Sequence, residues 1–357
     1  MKYRTTTLYA LTNEGTAGTK TIDINVADPI SALIFLGKIT MSTGARLIPE
    51  PDVMSKIELV DGSDVILSLS GTEMAALGFY EGHPFIDWAS CSTVSDTEEG
   101  YLRYDFGRKL WDPLLALDPK RFKNPQLKIT FNTAAVQAAA TPFYLSVIAE
   151  CFDEKAIAPV GFLSAREHHS YVGGATTWEY IDLPTDQVLR KLYLQTKDFG
   201  AAYSQLLTEA KLDEDNGKRI PFDLLAEDWA DLDIAKFGRL HQYCGALSAG
   251  ASYPNYGAPC IAENANVVNA SAQGAFQCTL ITGGKFAFAA GASNYVMIGE
   301  LSGALPYFVY CYPFGDQDDP DDWYDTTKVG SLRFIVESGS VGASATYNTI
   351  VQQLRKY

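Results

Sequence analysis

The densest group of chemistry-bearing side chains is Asp316-Gln317-Asp318-Asp319-Pro320-Asp321-Asp322-Trp323-Tyr324-Asp325, six carboxylates within ten residues. Carboxylate oxygens at that density suit Ca²⁺, a hard cation that takes about six to eight oxygen ligands. The run lacks the central glycine and closing glutamate of an EF-hand loop, so it reads as a solvated acidic loop. Only four histidines are present, His83, His168, His169 and His241, and Glu167-His168-His169 is the one cluster among them. Adjacent residues do not share a face on regular structure, which makes that triplet a poor metal or acid–base group. Six cysteines (Cys91, Cys151, Cys244, Cys260, Cys278 and Cys311) are scattered without a C-x-x-C pair and read as small buried hydrophobes. No G-x-S-x-G elbow, phosphate-binding G-x-x-x-x-G-K-[ST] or dinucleotide G-x-G-x-x-G is found. The 43 acidic residues offer many carboxylate pairs of the glycosidase kind, and nothing singles out one of them. No catalytic, cofactor-binding or metal residue is assigned, and the chain reads as a non-enzyme.

The bulk properties narrow the class further. At 357 residues there is room for two domains with separate cores. Hydrophobic residues at 47% and charged residues at 20% describe a globular chain, and 20 Tyr with 18 Phe favour β-rich architecture. The formal charge of -15 opposes counterion displacement from a phosphate backbone, which argues against a direct nucleic-acid reader. The segment Met1 to Thr7 carries Lys2 and Arg4 without an apolar run behind them, so no secretory signal is expected. The longest apolar window, Phe286 to Phe314, is interrupted by Ser293, Asn294, Glu300 and Ser302. A soluble protein made in a cytoplasm follows, for which the glycosylation acceptor Asn269-Ala270-Ser271 is irrelevant.

With no chemistry to position, the elements themselves carry the information, and they repeat. Asp61-Gly62-Ser63-Asp64-Val65-Ile66-Leu67-Ser68-Leu69 aligns without a gap on Asn216-Gly217-Lys218-Arg219-Ile220-Pro221-Phe222-Asp223-Leu224. In each copy a turn opens an alternating strand that runs into a short helix. Ser70-Gly71-Thr72-Glu73 is a capping box for the first helix, with Met74 and Leu77 on one face. These two fall on Trp229 and Leu232 of the second copy, whose helix has Leu225 where Ser70 stands. Pro221 removes a ladder donor and predicts an edge strand or a bulge. Ile34-Phe35-Leu36 echoes Leu192-Tyr193-Leu194, and Leu127 to Phe131 echoes Leu332 to Val336, before closing strands at Phe143 to Ile148 and Tyr347 to Val351. The offset between copies is 155 residues from Val65 to Ile220 but 205 from Leu127 to Leu332, so the second copy holds 50 more. Such inserts form the outer loops of a scaffold. The expected organisation is a mobile Thr/Gly-rich arm at 1–20, a first barrel at 21–155, a Pro/Gly-containing linker at 156–177, and a second barrel at 178–357 carrying an insert at about 240–327. Eight-odd strands per half with little helix point to two tandem antiparallel jelly-roll barrels.

At this point a family likeness enters. The unit Ile57-Glu58-Leu59-Val60-Asp61-Gly62-Ser63-Asp64 resembles the double jelly-roll major capsid proteins of tailless icosahedral viruses. So do Trp111-Asp112-Pro113-Leu114-Leu115-Ala116-Leu117-Asp118 and Asn124-Pro125-Gln126-Leu127-Lys128-Ile129, and both segments are particularly similar to membrane-containing bacteriophages, including the lipid-containing phage of Flavobacterium. The resemblance implies a structural virion protein whose homotrimers have a pseudo-hexagonal outline and tile an icosahedral shell. It further implies neighbouring capsomers and a vertex protein as partners, an outward tower at 240–327, and termini, with Lys2 and Arg4, near an internal lipid membrane. A charge of -15 suits a shell kept away from nucleic acid. The rival readings are a β-sandwich carbohydrate-binding or carbohydrate-active protein, with Tyr307, Trp323 and Tyr324 stacking on sugar rings, and a minor vertex or spike component.

Overall fold

A computed structural model describes residues 2–40, 47–84, 97–137, 139–154, 157–249, 253–270, 276–280, 283–290 and 293–357. The first half of the chain lays down β1 (Tyr3–Gly15), β2 (Ala17–Asp23), β3 (Ile30–Thr40), β4 (Met54–Asp61), β5 (Asp64–Leu69), β6 (Thr97–Asp105), β7 (Pro125–Asn132) and β8 (Phe143–Phe152). Helix α1 (Gly71–Tyr80) stands between β5 and β6, and the single turn α2 (Thr133–Val136) between β7 and β8. The second half begins with β9 (Gly161–Val172), β10 (Trp178–Asp182), β11 (Val188–Lys197), α3 (Tyr203–Leu206), β12 (Leu207–Glu214), β13 (Arg219–Leu225) and α4 (Ala226–Phe237). Six strands follow: β14 (Leu240–Ala249), β15 (Tyr253–Tyr256), β16 (Pro259–Ala270), β17 (Phe276–Leu280), β18 (Lys285–Ala290) and β19 (Ser293–Pro306). The chain then closes with β20 (Val309–Pro313), β21 (Leu332–Ser338) and β22 (Thr346–Lys356).

The pairing order makes the duplication explicit. The first roll consists of β1-β8-β3-β6 facing β2-β7-β4-β5; the second consists of β9-β22-β11-β20 facing β10-β21-β12-β13. Exchanging each strand for its counterpart in chain order, with the six inserted strands set aside, turns one pair of sheets into the other. Every ladder within a roll is antiparallel, so the chain is all-β with two tandem antiparallel jelly rolls. The rolls are not independent beads. Strand β5 runs parallel to β9, with Ser68 opposite Arg166, and joins one sheet of each roll into a single eight-stranded sheet.

Two expectations are corrected here, and by the same cause. Within residues 1–20, read as a mobile arm, lie β1 and the start of β2; β1 pairs with β8 from Tyr3 opposite Phe152 to Gly15 opposite Phe143. Residues 156–177, read as a linker, contain β9, which pairs with β22 from Gly161 opposite Lys356 to Val172 opposite Thr346. Each is the first strand of its roll. Strand β1 is exposed or half-buried throughout, and β9 is buried from Gly161 to Ala165 but alternates between half-buried and exposed residues beyond, so neither gives a long apolar run. A third correction concerns register. Phe35 lies in the first core whereas Leu192 and Leu194, not Tyr193, lie in the second, so that echo is one residue out. In a strand a one-residue slip exchanges faces, and Tyr193 points instead at the first roll.

Local signals fare better. The β4–β5 hairpin turns over Gly62 and Ser63, and the β12–β13 hairpin over residues that include Asp215, Asn216 and Gly217, all three at positive φ. Ser70 caps α1 with Glu73 reaching back, as the capping box requires. Pro221 lies on β13 at the end of its sheet. Leu225 caps α4 without a side-chain hydrogen bond; Trp229 is buried there, whereas Leu232 faces outward. Gly71 is fixed by close approach: a Cβ would lie 1.8 Å from the Pro51 carbonyl oxygen. The inserted strands form two three-stranded sheets, β14-β19-β16 and β15-β18-β17, and end at Pro306 rather than near 327. They join the second roll where Val309 pairs with Gln195, towards the far end of β11. Both termini lie at the other end, where Val188 pairs with Leu354 and the Asp153 amide donates to the Lys2 carbonyl.

Because β1 completes a sheet, deleting residues 2–15 should expose the β8 edge and the apolar face under Leu8 and Tyr9. Expected outcomes are a lowered urea midpoint and aggregation on concentration; an unchanged midpoint would make the segment dispensable.

Candidate functional site

The feature of this molecule built with the most buried polar chemistry is the seam where α1 and its approach, from the first roll, meet β11, β20 and β22 of the second. Helix α1 arises from its capping box, and its last turn delivers Tyr80 and Glu81 into the second roll. Opposite them β11 carries a bulge between Leu189 and Lys191. A bulge sets two residues against one, and so lets the consecutive cations Arg190 and Lys191 both reach Glu81. One Arg190 terminal nitrogen donates to both Glu81 oxygens at 2.8 Å, and Lys191 Nζ lies 2.9 Å from Oε1. Gln352 on β22 donates to the same Glu81 oxygen at 2.9 Å while its own carbonyl accepts from Arg190 at 3.1 Å. Lys191 also donates to the Tyr80 carbonyl at 2.8 Å. Burial raises the Glu81 pKa, but the two cations more than reverse this and bring it from 4.5 to about 2. Lys191 itself is shifted down by burial. Arg190 is held above its usual value because Glu81 outweighs its burial, so the Glu81–Arg190 pair is the anchor.

Two further clusters flank this triad. Glu73 closes the capping box with Oε2, accepting from the Ser70 amide at 2.7 Å, while Oε1 accepts from Asn348 of β22 at 2.8 Å. Beside it Asp52 accepts from Thr72 at 2.8 Å and pairs with Lys197 at 2.6 Å, and Gln195 donates to Thr72 and to the Tyr307 carbonyl. Below, the Tyr80 hydroxyl donates to the Val309 carbonyl at 2.5 Å and reaches Asp233 Oδ2 at 3.1 Å. The same Asp233 oxygen accepts from the Cys311 amide at 3.1 Å, and Trp229 Nε1 donates to the Cys311 carbonyl. Burial pushes the Asp233 pKa well above the ordinary aspartate value. The polar groups are embedded in apolar contact: Tyr193, Val309, Cys311 and Ile350 of the second roll join the first roll's core. This arrangement holds two bodies in one orientation; it does not present reactive atoms to a substrate.

The sequence-selected residues lie elsewhere and apart. His83 meets Asp105 at 3.0 Å, His168 the Asp182 carbonyl at 2.8 Å, His169 Glu179 at 3.2 Å and His241 Glu300 at 3.0 Å. Glu167 and His168 line an open cleft beside the β5–β9 junction with Lys56, Glu58 and Arg166. The acidic run folds on itself: Asp316, Asp319 and Asp322 carboxylates accept from the amides of Asp318, Asp321 and Asp316. The Trp323 indole donates to the Asp316 carbonyl and lies over Arg190, 5.3 Å from its guanidinium. The loop thus closes one end of the seam. Among the described residues no group of three or more His, Cys, Asp or Glu is placed to hold a metal ion. Trp323 and Tyr307 are buried, and Tyr324 stacks on Phe314 while donating to Glu214, so these three rings do not form the sugar-stacking platform of the rival reading. Cys151, Cys260 and Cys311 are buried free thiols; Cys91, like Ser271 of the acceptor sequence, lies outside the described residues. The seam residues were missed in the sequence, although Arg190, Lys191, Gln195, Asn348 and Gln352 interrupt otherwise apolar strands, which was a readable signal.

Two rolls of matching strand order locked side by side in one chain define the double jelly roll, the fold of viral major capsid proteins. The chain is similar to the major capsid protein P2 of bacteriophage PM2 (10% identity, TM-score 0.55, covering 99% of this chain and 98% of that one). It is also similar to the STIV major capsid protein, STIV being the Sulfolobus Turreted Icosahedral Virus (11%, 0.60, 100% and 98%). A third likeness is to PBCV-1 VP54 as fitted into a reconstruction of the virophage Sputnik (11%, 0.60, 99% and 93%). These neighbours have a structural rather than an enzymatic role. No protein-family model and no curated protein sequence matches the chain.

Removing the Glu81 charge leaves Arg190 and Lys191 buried without their counterion, so Glu81→Gln should cost about 3–5 kcal/mol in urea unfolding. The wild-type contribution of Glu81 is complete above pH 4.5 and should be lost as pH falls towards 2, since the carboxyl titrates lower folded than unfolded. Asp233 has the opposite sign: it binds its proton more tightly when folded, so its stabilising contribution fades as pH rises above 3.8. Asp233→Asn should therefore raise the urea midpoint relative to wild type at pH 8, with the difference shrinking towards pH 4.

Proposed function

We propose that this chain is a major capsid protein, three copies of which form a capsomer of pseudo-hexagonal outline that tiles an icosahedral shell. The observation that carries this reading is the identical strand order of two rolls locked in one orientation. Six similar edges can be made from three chains only if each chain supplies two similar bodies held rigidly, and the seam supplies that rigidity. The inserted strands β14–β19 stand at the end opposite both termini, which supports an outward tower and an inward base. Partners are then neighbouring capsomers and a vertex protein, with the virion as the location and the host cytoplasm as the site of synthesis. At the base, Arg4 is paired with Asp28, while Lys2 is exposed and free to face an internal lipid surface. A net charge of -15 supports a shell that does not grip nucleic acid directly.

Light scattering of the purified chain should give the mass of a trimer, and negative-stain images should show a hexagonal outline. A stable monomer at micromolar concentration would overturn this function.

A further inference from the structure

The internal repeat specifies more than the number of rolls, because the junction between them inside one chain is itself visible. There, β5 of the first roll meets β9 of the second, and α1 is covered by the outer face of the β9-β22-β11-β20 sheet. The counterpart of β5 is β13, whose outer edge pairs with no strand among the described residues, and the counterpart of α1 is α4. The counterpart of β9 is β1, likewise at the end of its sheet. Resting on the capsomer reading above, we infer that β13 and α4 form a docking surface for a second copy of this chain, which covers them with its β1 edge and the outer face of its β1-β8-β3-β6 sheet.

Exposure differs between the two helices as this requires. Seven of the ten residues of α1 are buried, against four of the twelve of α4. The side chains left out include Ile220, Leu225 (52% exposed) and Leu232, an apolar strip across β13 and α4. The proposed receiving face is also apolar: Ile34, Leu36, Tyr144 and Ile148 are only half-buried, on the strand faces opposite the core residues Phe35 and Val147, and Tyr101 is exposed. Charge is arranged differently on the two sides. Inside the chain, acids on the α1 side (Asp52, Glu81) meet cations on β11 (Arg190, Lys191, Lys197). Glu227, Asp228 and Asp231 are exposed on α4, whereas Lys38 on β3 and Arg103 on β6 of the receiving sheet are each paired within that sheet, with Glu99 and Asp105, so the docking rests on the apolar strip and the strand edges.

The repeat also gives a register. Ser68 corresponds to Asp223 in the aligned hairpins. Arg166 pairs with Val351 and Tyr9 pairs with Val147, each four residues past the first core aromatic of its closing strand, Tyr347 and Phe143. Asp223 of one copy should therefore lie beside Tyr9 of the next, as Ser68 lies beside Arg166.

The test uses the full chain with Asp223→Cys combined in turn with Leu8→Cys, Tyr9→Cys or Ala10→Cys, oxidised at micromolar concentration. Each single variant serves as background for the native thiols, and Asp223→Cys with Thr19→Cys, on β2 of the other sheet, serves as the misplaced pair. Covalent trimers from at least one of the three pairs, and none from the misplaced pair, are expected. The exposed triple change Ile220→Glu, Leu225→Glu and Leu232→Glu should dissociate the trimer with an unchanged far-ultraviolet spectrum. If trimers form but none of the pairs cross-links, and the triple variant stays trimeric, this docking surface is wrong and the capsomer reading stands. If the wild-type chain is monomeric, both fall together.

Discussion

The Glu81–Arg190 pair is the interaction on which the remainder of the architecture depends. Two jelly rolls on a short connection would tumble freely against each other, since inter-domain motion is the default for small polar contacts. Here a carboxylate from one body is gripped by two cations from the other, and its remaining acceptor capacity is taken by Gln352. Buried ion pairs contribute little net stability compared with apolar replacements, but an incorrectly seated one is costly. That asymmetry selects one orientation of the rolls over alternatives that an oily contact alone would tolerate. The apolar contacts of Tyr193, Val309 and Ile350 supply the adhesion, and the charges supply the alignment.

The same residue can serve both its own roll and the seam, and Glu73 is the clearest case. One oxygen completes the cap of α1 and the other holds Asn348. Local helix formation and inter-roll docking are therefore coupled through a single side chain whose pKa is raised by complete burial. Tyr80 acts similarly at the other end of α1, packing against Phe237 while its hydroxyl reaches β20 and α4. The helix works as a peg whose two ends are fastened separately.

Much of the fold was legible in the sequence because it was encoded locally. The Asp61–Asp64 and Asn216-Gly217 turns, the Ser70–Glu73 cap and the alternation of Leu127, Ile129 and Phe131 each depend on neighbours a few residues away. The opening strands β1 and β9 were not legible, since Thr-rich or mixed sequences carry no long apolar run and are held by partners more than a hundred residues distant. The seam was missed for a related reason. Arg190 and Lys191 stand in an apolar strand, but their partner Glu81 is 109 residues away from Arg190. The exchanged parity of Ile34-Phe35-Leu36 against Leu192-Tyr193-Leu194 shows the general difficulty. Periodicity identifies which residues alternate, while only the tertiary neighbour decides which set is inside.

The parallel contact between β5 and β9 has a mechanical corollary. Through it a hydrogen-bonded sheet runs without interruption from β2 in one roll to β20 in the other. Across the width of the chain the two rolls are thus linked by main-chain pairing and the packed seam as well as by the covalent connection between β8 and β9. Cutting that connection would leave the halves joined through the junction and the seam. The polypeptide is thereby a single slab two rolls wide, with one sheet common to both.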